Sequence, residues 1–208
     1  MKPGFMQKWV IRYHHLKTLI FYQPFIKRAH GKFIVINPIL FTPRHFIIGK
    51  NVFIRNHCRL EGIYQHEGIK FDPVIQIGDN VSIEQNLHLT CANKITIGNN
   101  TAIASNVTIT DINHPYANIN LPPEKQPIQV SEVFIGEACK IYNNAVILPG
   151  TTLGKHNIVG ANSVVSGVFP DFCVIAGAPA KIIKRYNPET ENWEKGDRIE
   201  KISNEKKG

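Results

Sequence analysis

Aliphatic side chains recur at every sixth residue along most of this chain, and no other feature limits the possible folds so strongly. They stand at Ile48, Ile54 and Leu60, at Ile77, Ile83 and Leu89, and at Ile97, Ile103 and Ile109. The series resumes at Ile135 and runs through Ile141, Ile147, Leu153, Val159 and Val165. Glycine follows the aliphatic at Gly49, Gly78, Gly98, Gly136, Gly154 and Gly160. A period of six matches neither the 3.6 of an amphipathic helix nor the 2 of a half-buried strand. It fits short strands that each turn one aliphatic inward, joined by tight turns for which "GDN" and "GNN" supply suitable residues. Three such strands close a triangular coil of about 18 residues, and stacked coils pair their backbones about 4.8 Å apart.

The breaks in the rhythm locate the loops. Leu89 to Ile97 is two residues too long, which puts a small bulge at Lys94 and Ile95. A larger insertion spans 61–74, and the largest spans 111–133. Loops of that length inside a compact domain are commonly functional or disordered. The chain therefore divides into an N-terminal helical, capping segment over 1–45, a coil domain over 46–183 with its protruding loop, and a polar tail over 184–208 expected to be flexible. Within the first segment, Phe5, Trp9, Leu16, Ile20 and Phe21 fall near one helical face. Such a helix could cover the open edge of the first coil, which is the preferred reading, or lie on a membrane surface.

Charge is unevenly spread. The net charge is +8, and eleven Lys and Arg precede the first acid, Glu61. A basic front half suits anionic lipid or glycan. No nucleic-acid-binding module accompanies it, so nucleic acid is not an expected partner. No apolar run is long enough for a transmembrane helix and no signal-peptide core is present, so a cytoplasmic protein is expected, with the inner face of the membrane as an alternative location. Cys58, Cys91, Cys139 and Cys173 lack metal-binding spacing and are expected to be buried free thiols.

The repeats over 46–183 resemble those of the hexapeptide-repeat acyltransferases, in particular the sugar and polysaccharide O-acetyltransferases. The resemblance implies a mainly β fold, the left-handed parallel β-helix, whose hand breaks the usual right-handed crossover rule. It also implies acetyl-CoA as acyl donor, a carbohydrate hydroxyl as acceptor and a homotrimer with sites between subunits. "TDINHPY" matches the family's loop-base motif, which makes His114 the catalytic histidine and Asp111 its companion. In "IEQNLHLT", Glu84, Asn86 and His88 fall where the family holds its acceptor. Asn143, then Ala161 and Ser166 in "VGANSVVSG", then Lys181 and Lys184 in "AGAPAKIIK", match coenzyme A contacts. One departure stands out: "GEACKI" places Lys140 where many relatives have tryptophan, which implies a more polar acceptor pocket.

The residue type at position 114 suits the implied chemistry. A hydroxyl is a poor nucleophile at neutral pH, whereas a thioester is already activated. An imidazole with an ordinary pKa of about 6.5 is mostly neutral and can take the hydroxyl proton during attack. Asp111 or a loop carbonyl would fix its tautomer, and no serine or cysteine nucleophile is needed. Two other classes are weighed against this: a zinc-dependent hydratase on the same fold, drawing on His88, His114 and His156 across subunits, and a non-catalytic scaffold. No close histidine pair at the expected spacing favours zinc, so no metal is expected.

Overall fold

The structure, a computed structural model, describes residues 5–195. Helix α1 (Phe5–Phe21) is followed by a three-sided parallel β-helix, and an antiparallel hairpin ends the described chain. Lys2 and residues 196–208 of the expected tail lie outside the described residues, as does the side chain of Phe5.

The six-residue rule becomes three parallel faces. On the first, Ile48, Ile77, Ile97, Ile135, Leu153 and Phe169 stack in register. On the second, Val35, Ile54, Ile83, Ile103, Ile141, Val159 and Ile175 do so. On the third, Phe41, Leu60, Leu89, Ile109, Ile147 and Val165 form the row. Nearly all of these side chains are fully buried, so three stacked rows meeting on the axis form one continuous core. Cys58, Cys91, Cys139 and Cys173 are buried free thiols within it, and burial pushes each thiol pKa up.

The corners explain the remaining residue preferences. Where the first face turns to the second, backbones stack so closely that a Cβ on Gly136 would lie 2.6 Å from the Gly154 backbone. At the same corner Asp79 Oδ1 accepts from Lys50 N–H, and Asn99 Oδ1 accepts from Asp79 N–H, both at 2.8 Å. Between the second and third faces Asn86, Asn106, Asn144 and Asn162 take positive φ and join in an amide ladder with steps of 2.9, 3.1 and 3.0 Å. A short amide tolerates this backbone, and each rung satisfies the next.

Three boundaries differ from the sequence reading. The coils begin at Arg28 rather than at 46, because Arg28–Ala29, Phe33–Val35 and Leu40–Phe41 already pair with the next coil. The bend in the 89–97 stretch falls at Ala92 and Asn93, while Lys94 and Ile95 are already in strand. The part of the tail within the described residues is strand rather than flexible chain: Ala180–Asn187 and Asn192–Lys195 continue the second face as antiparallel strands. Trp193 and Tyr186 pack edge to face at 5.7 Å there, giving the hairpin apolar contacts that its polar composition conceals.

Helix α1 covers the open end of the second face. Thr18 is fully buried; its hydroxyl accepts from Val35 N–H at 3.0 Å and donates to the His14 carbonyl at 2.8 Å. Lys17 Nζ donates to Asn37 Oδ1 at 2.9 Å. A strand edge that would otherwise recruit another chain is thus occupied by a side-chain hydroxyl.

Candidate active site

The third face carries an outward row of polar side chains as well as the inward aliphatic one. Arg59, His88 and Thr108 are aligned across adjacent coils, as are Glu61, Thr90 and Thr110. Thr90 Oγ1 donates to Thr110 Oγ1 at 3.0 Å. Two insertions rise from this face. Residues 61–74 form a small hairpin, with Gln65–His66 pairing antiparallel with Ile69–Lys70. The long loop starts and ends as a short ladder, Ile112–Asn113 against Gln129–Val130. It also has a polar centre: the buried Gln126 receives Asn118 N–H at 3.3 Å and donates to the carbonyls of Asn118 and Leu121, both at 3.0 Å. Lys125 Nζ reaches Glu67 at 3.2 Å, so the two insertions meet.

Between them lies a cavity of about 450 Å³. Its floor is Arg59, His88, Thr90, Thr108 and Thr110, and its walls include His66, Ile112, His114 and Glu124. The rings of His66 and His114 meet edge to face with centroids 5.6 Å apart. His114 Nδ1 and His66 Nε2 are shielded from solvent and make no hydrogen bond. Glu124 Oε2 stands 3.8 Å from His114 Nδ1, one small movement beyond hydrogen-bonding distance. Arg59 is held by Glu61, with Nε to Oε2 at 2.7 Å. Burial lowers the His88 pKa below its ordinary 6.5; Arg59 pushes the same way and Glu61 opposes.

This geometry sorts the expected site residues. His114 and His88 share the cavity. Asp111 is corrected from companion of His114 to structural anchor. It is fully buried, with Oδ1 accepting from Ala92 N–H and Oδ2 from the N–H groups of Asn93 and Lys94, all at 2.8 Å. The Cys91 thiol donates to Oδ2 at 3.3 Å. The carboxylate thus ties down the bend of the previous coil and has nothing left to offer the imidazole.

Glu84 and Asn86 are also placed elsewhere within one chain: Glu84 pairs with Arg55 at 2.7 Å, and Asn86 is a rung of the corner ladder. Lys140 lies on the second face with Nζ 5.5 Å from the centre of the Tyr142 ring, so the cavity's polarity comes from Arg59, His66, His88 and Glu124 instead. His156 packs against Phe172 and Trp193 at a turn between the first and second faces, and does not join His88 and His114.

The donor positions lie on the last coils, away from this cavity. Asn143 and Ala161 occupy the corner between the second and third faces, and the Asn143 carbonyl accepts from Asn162 N–H at 3.0 Å. Ser166 lies just past the third face, and Lys181 and Lys184 sit on the terminal hairpin; all five positions are exposed. His66 and Glu124 were missed by the sequence reading. Their one available signal was position inside the two insertions that interrupt the period.

Comparison with known proteins agrees with the architecture. A family model described as bacterial transferase hexapeptide (six repeats) matches residues 132–167. An Escherichia coli (strain K12) protein named as a lipopolysaccharide-biosynthesis O-acetyl transferase, WbbJ, is 46% identical over 69% of this chain and 80% of its own length. Two solved structures share the fold at low identity. A Bacillus cereus N-acyltransferase, AntD, in complex with dTDP and coenzyme A, has a TM-score of 0.66 at 18% identity over 91% of this chain and 92% of its own. A galactoside acetyltransferase in complex with coenzyme A has a TM-score of 0.58 at 22% identity over 89% and 81%. The fold is the left-handed parallel β-helix that the repeats imply. By its repeats, its coil architecture and this identity across four fifths of a relative's length, the chain belongs to the hexapeptide-repeat acyltransferases.

Proposed function

We propose that this chain is an acetyl-CoA-dependent O-acetyltransferase that esterifies a carbohydrate hydroxyl in bacterial surface-polysaccharide or lipopolysaccharide synthesis, with His114 as general base. The observation that carries the reading is the shared cavity: an imidazole with a solvent-shielded, unpaired Nδ1 beside a carboxylate, over a floor of hydroxyls, a second histidine and an arginine. A polar floor of this kind offers both donors and acceptors to sugar hydroxyls. The 46% identical relative is named for O-acetyl transfer, which supports the same chemistry.

In this reading the acceptor hydroxyl lies at His114 Nε2. Glu124 closes on Nδ1–H, fixing the tautomer that leaves Nε2 free to accept; it acts as a positioning residue. As the hydroxyl oxygen attacks the acetyl carbonyl, its proton passes to Nε2. When the tetrahedral intermediate collapses, the carbon–sulfur bond breaks and that proton goes to the departing thiolate. Oxygen thus gains the acetyl group, sulfur regains hydrogen, and His114 ends neutral. Lysines 181 and 184 would meet the coenzyme A phosphates, with Asn143, Ala161 and Ser166 along the pantetheine.

This donor assignment is testable. Replacing Lys181 and Lys184 together by Ala should raise KM for acetyl-CoA about tenfold or more, since each removes a charge-assisted contact to phosphate. KM for the acceptor should change little. Steady-state kinetics with each substrate varied separately checks this, and an unchanged acetyl-CoA KM removes the lysines from the donor site.

The reading includes a homotrimer and a membrane contact through the basic N-terminal segment. One chain leaves all five donor positions exposed, where a neighbouring subunit would complete a groove. Light scattering of the purified protein should give three times the chain mass at concentrations on the order of micromolar; a stable monomer there contradicts the trimer.

A further inference from the structure

Helix α1 turns its polar side to the protein and its apolar side outward, the reverse of a helix that docks by hydrophobic burial. Its inner face is Ile11, His14, His15 and Thr18, of which His14 and Thr18 are buried. On the far side, Met6, Trp9, Tyr13, Leu16, Ile20 and Phe21 form one stripe, each 56–80% exposed. Successive members are spaced three or four residues apart, apart from the adjacent Ile20 and Phe21, so the stripe runs the length of the helix. Phe25, 64% exposed in the turn after the helix, extends it. Hydrogen bonding through Thr18 and Lys17 already anchors the helix, so the stripe is not needed to hold it in place. Large contiguous apolar surface of this kind marks an interaction site.

Charge selects the occupant. Lys8 and Arg12 are exposed on the helix beside the stripe, and the Arg12 guanidinium lies 5.8 Å from the centre of the Trp9 ring. Lys27 and Arg28 are exposed just beyond the helix. All 16 acidic residues begin at Glu61, so nothing within the first 60 residues offsets this charge. A helix with apolar and aromatic residues on one side and basic residues at its margins has the chemistry of a segment lying in the interface of an anionic bilayer. A second copy packed helix against helix would bring the same basic margin to the contact, which disfavours that pairing.

We infer that helix α1 is a peripheral anchor that holds the enzyme on an anionic lipid bilayer, its hydroxyl side fastened to the first coil and its apolar stripe inserted among the lipids. The inference deepens the membrane contact included in the proposed function, and its test is read without turnover. It also narrows the acceptor class: an enzyme held at the bilayer is suited to carbohydrate carried on a lipid.

The test is flotation of the full-length protein with vesicles of phosphatidylcholine alone and with about a third phosphatidylglycerol. Wild type should float with the anionic vesicles and not with the neutral ones. Raising the salt from 0.1 to 1 M, which shortens the screening length from about 10 to about 3 Å, should weaken the binding. The double variant Leu16→Ser, Ile20→Ser should lose about tenfold or more of the partitioning, because each change removes several buried carbons from the lipid. Its melting temperature and acetyl-CoA binding should match wild type. Equal flotation of variant and wild type overturns the inference, as does no binding to either vesicle. A lower oligomeric mass of the variant in solution also overturns it, by showing that the stripe joins subunits. None of these results bears on whether the protein transfers acetyl groups.

Discussion

His114→Ala should lower turnover by about 10²–10⁴, the usual cost of removing a positioned general base, which corresponds to roughly 3–5 kcal/mol of transition-state stabilisation. Stability should barely change. The imidazole is about two-fifths exposed and its Nδ1 holds no hydrogen bond, so the fold loses little with it. The wild-type pH profile should show an ascending limb, and this limb should vanish in the variant. His88 provides the control. Burial lowers its pKa, and it lies on the floor of the cavity among the groups assigned to hold the acceptor; His88→Asn should weaken acceptor binding while keeping the profile. If His114→Ala retains more than about a tenth of wild-type turnover, the proton goes elsewhere.

The second large effect is on folding. Asp111→Ala should destabilise the protein by about 3–5 kcal/mol, because it strands buried donors that a single carboxylate satisfies. Ala92, Asn93 and Lys94 lose the acceptor of their N–H groups, and Cys91 loses that of its thiol. Asparagine should not rescue: every neighbour of the carboxylate is a donor, so an amide NH₂ must face at least one of them. Urea unfolding followed by circular dichroism gives the comparison. A variant midpoint equal to wild type would show that the bend holds itself. Because Asp111 also follows directly on the strand Thr108–Thr110, where the long loop departs, activity should fall with stability, and cooling should recover part of it. No such recovery is expected for His114→Ala.

Much of the fold is legible in the sequence because one inward aliphatic per strand is a local rule repeated in every coil. Where the rule weakens, so does the reading. Ala29, Val35 and Phe41 are also six apart, but an alanine and a phenylalanine hide the first coil. The terminal hairpin escapes for a different reason: its strands run antiparallel and follow no period of six.

The site is legible only where a loop announces it. His114 is marked by the motif at the start of the longest interruption, and His88 by its outward place on the third face. Asp111 shares the motif with His114, yet what it contacts lies in the bend at 92–94, one coil earlier. That bend is visible in sequence as two extra residues, but nothing in the spacing says which carboxylate fills it. Glu84 and Asn86 look equally chemical until neighbouring coils supply Arg55 and Asn106 as partners. His66 and Glu124 become site residues only when the two insertions fold against each other, a contact between segments some 58 residues apart.

The central claim, acetyl transfer to a carbohydrate hydroxyl, is tested most directly by following acetyl groups from isotopically labelled acetyl-CoA into a panel of nucleotide sugars, oligosaccharides and lipid-linked glycans. The account predicts stoichiometric release of coenzyme A with the label recovered as an alkali-labile ester on at least one carbohydrate, and loss of that product with His114→Ala. Label recovered only as free acetate, or only on an amine as an alkali-stable amide, would contradict it.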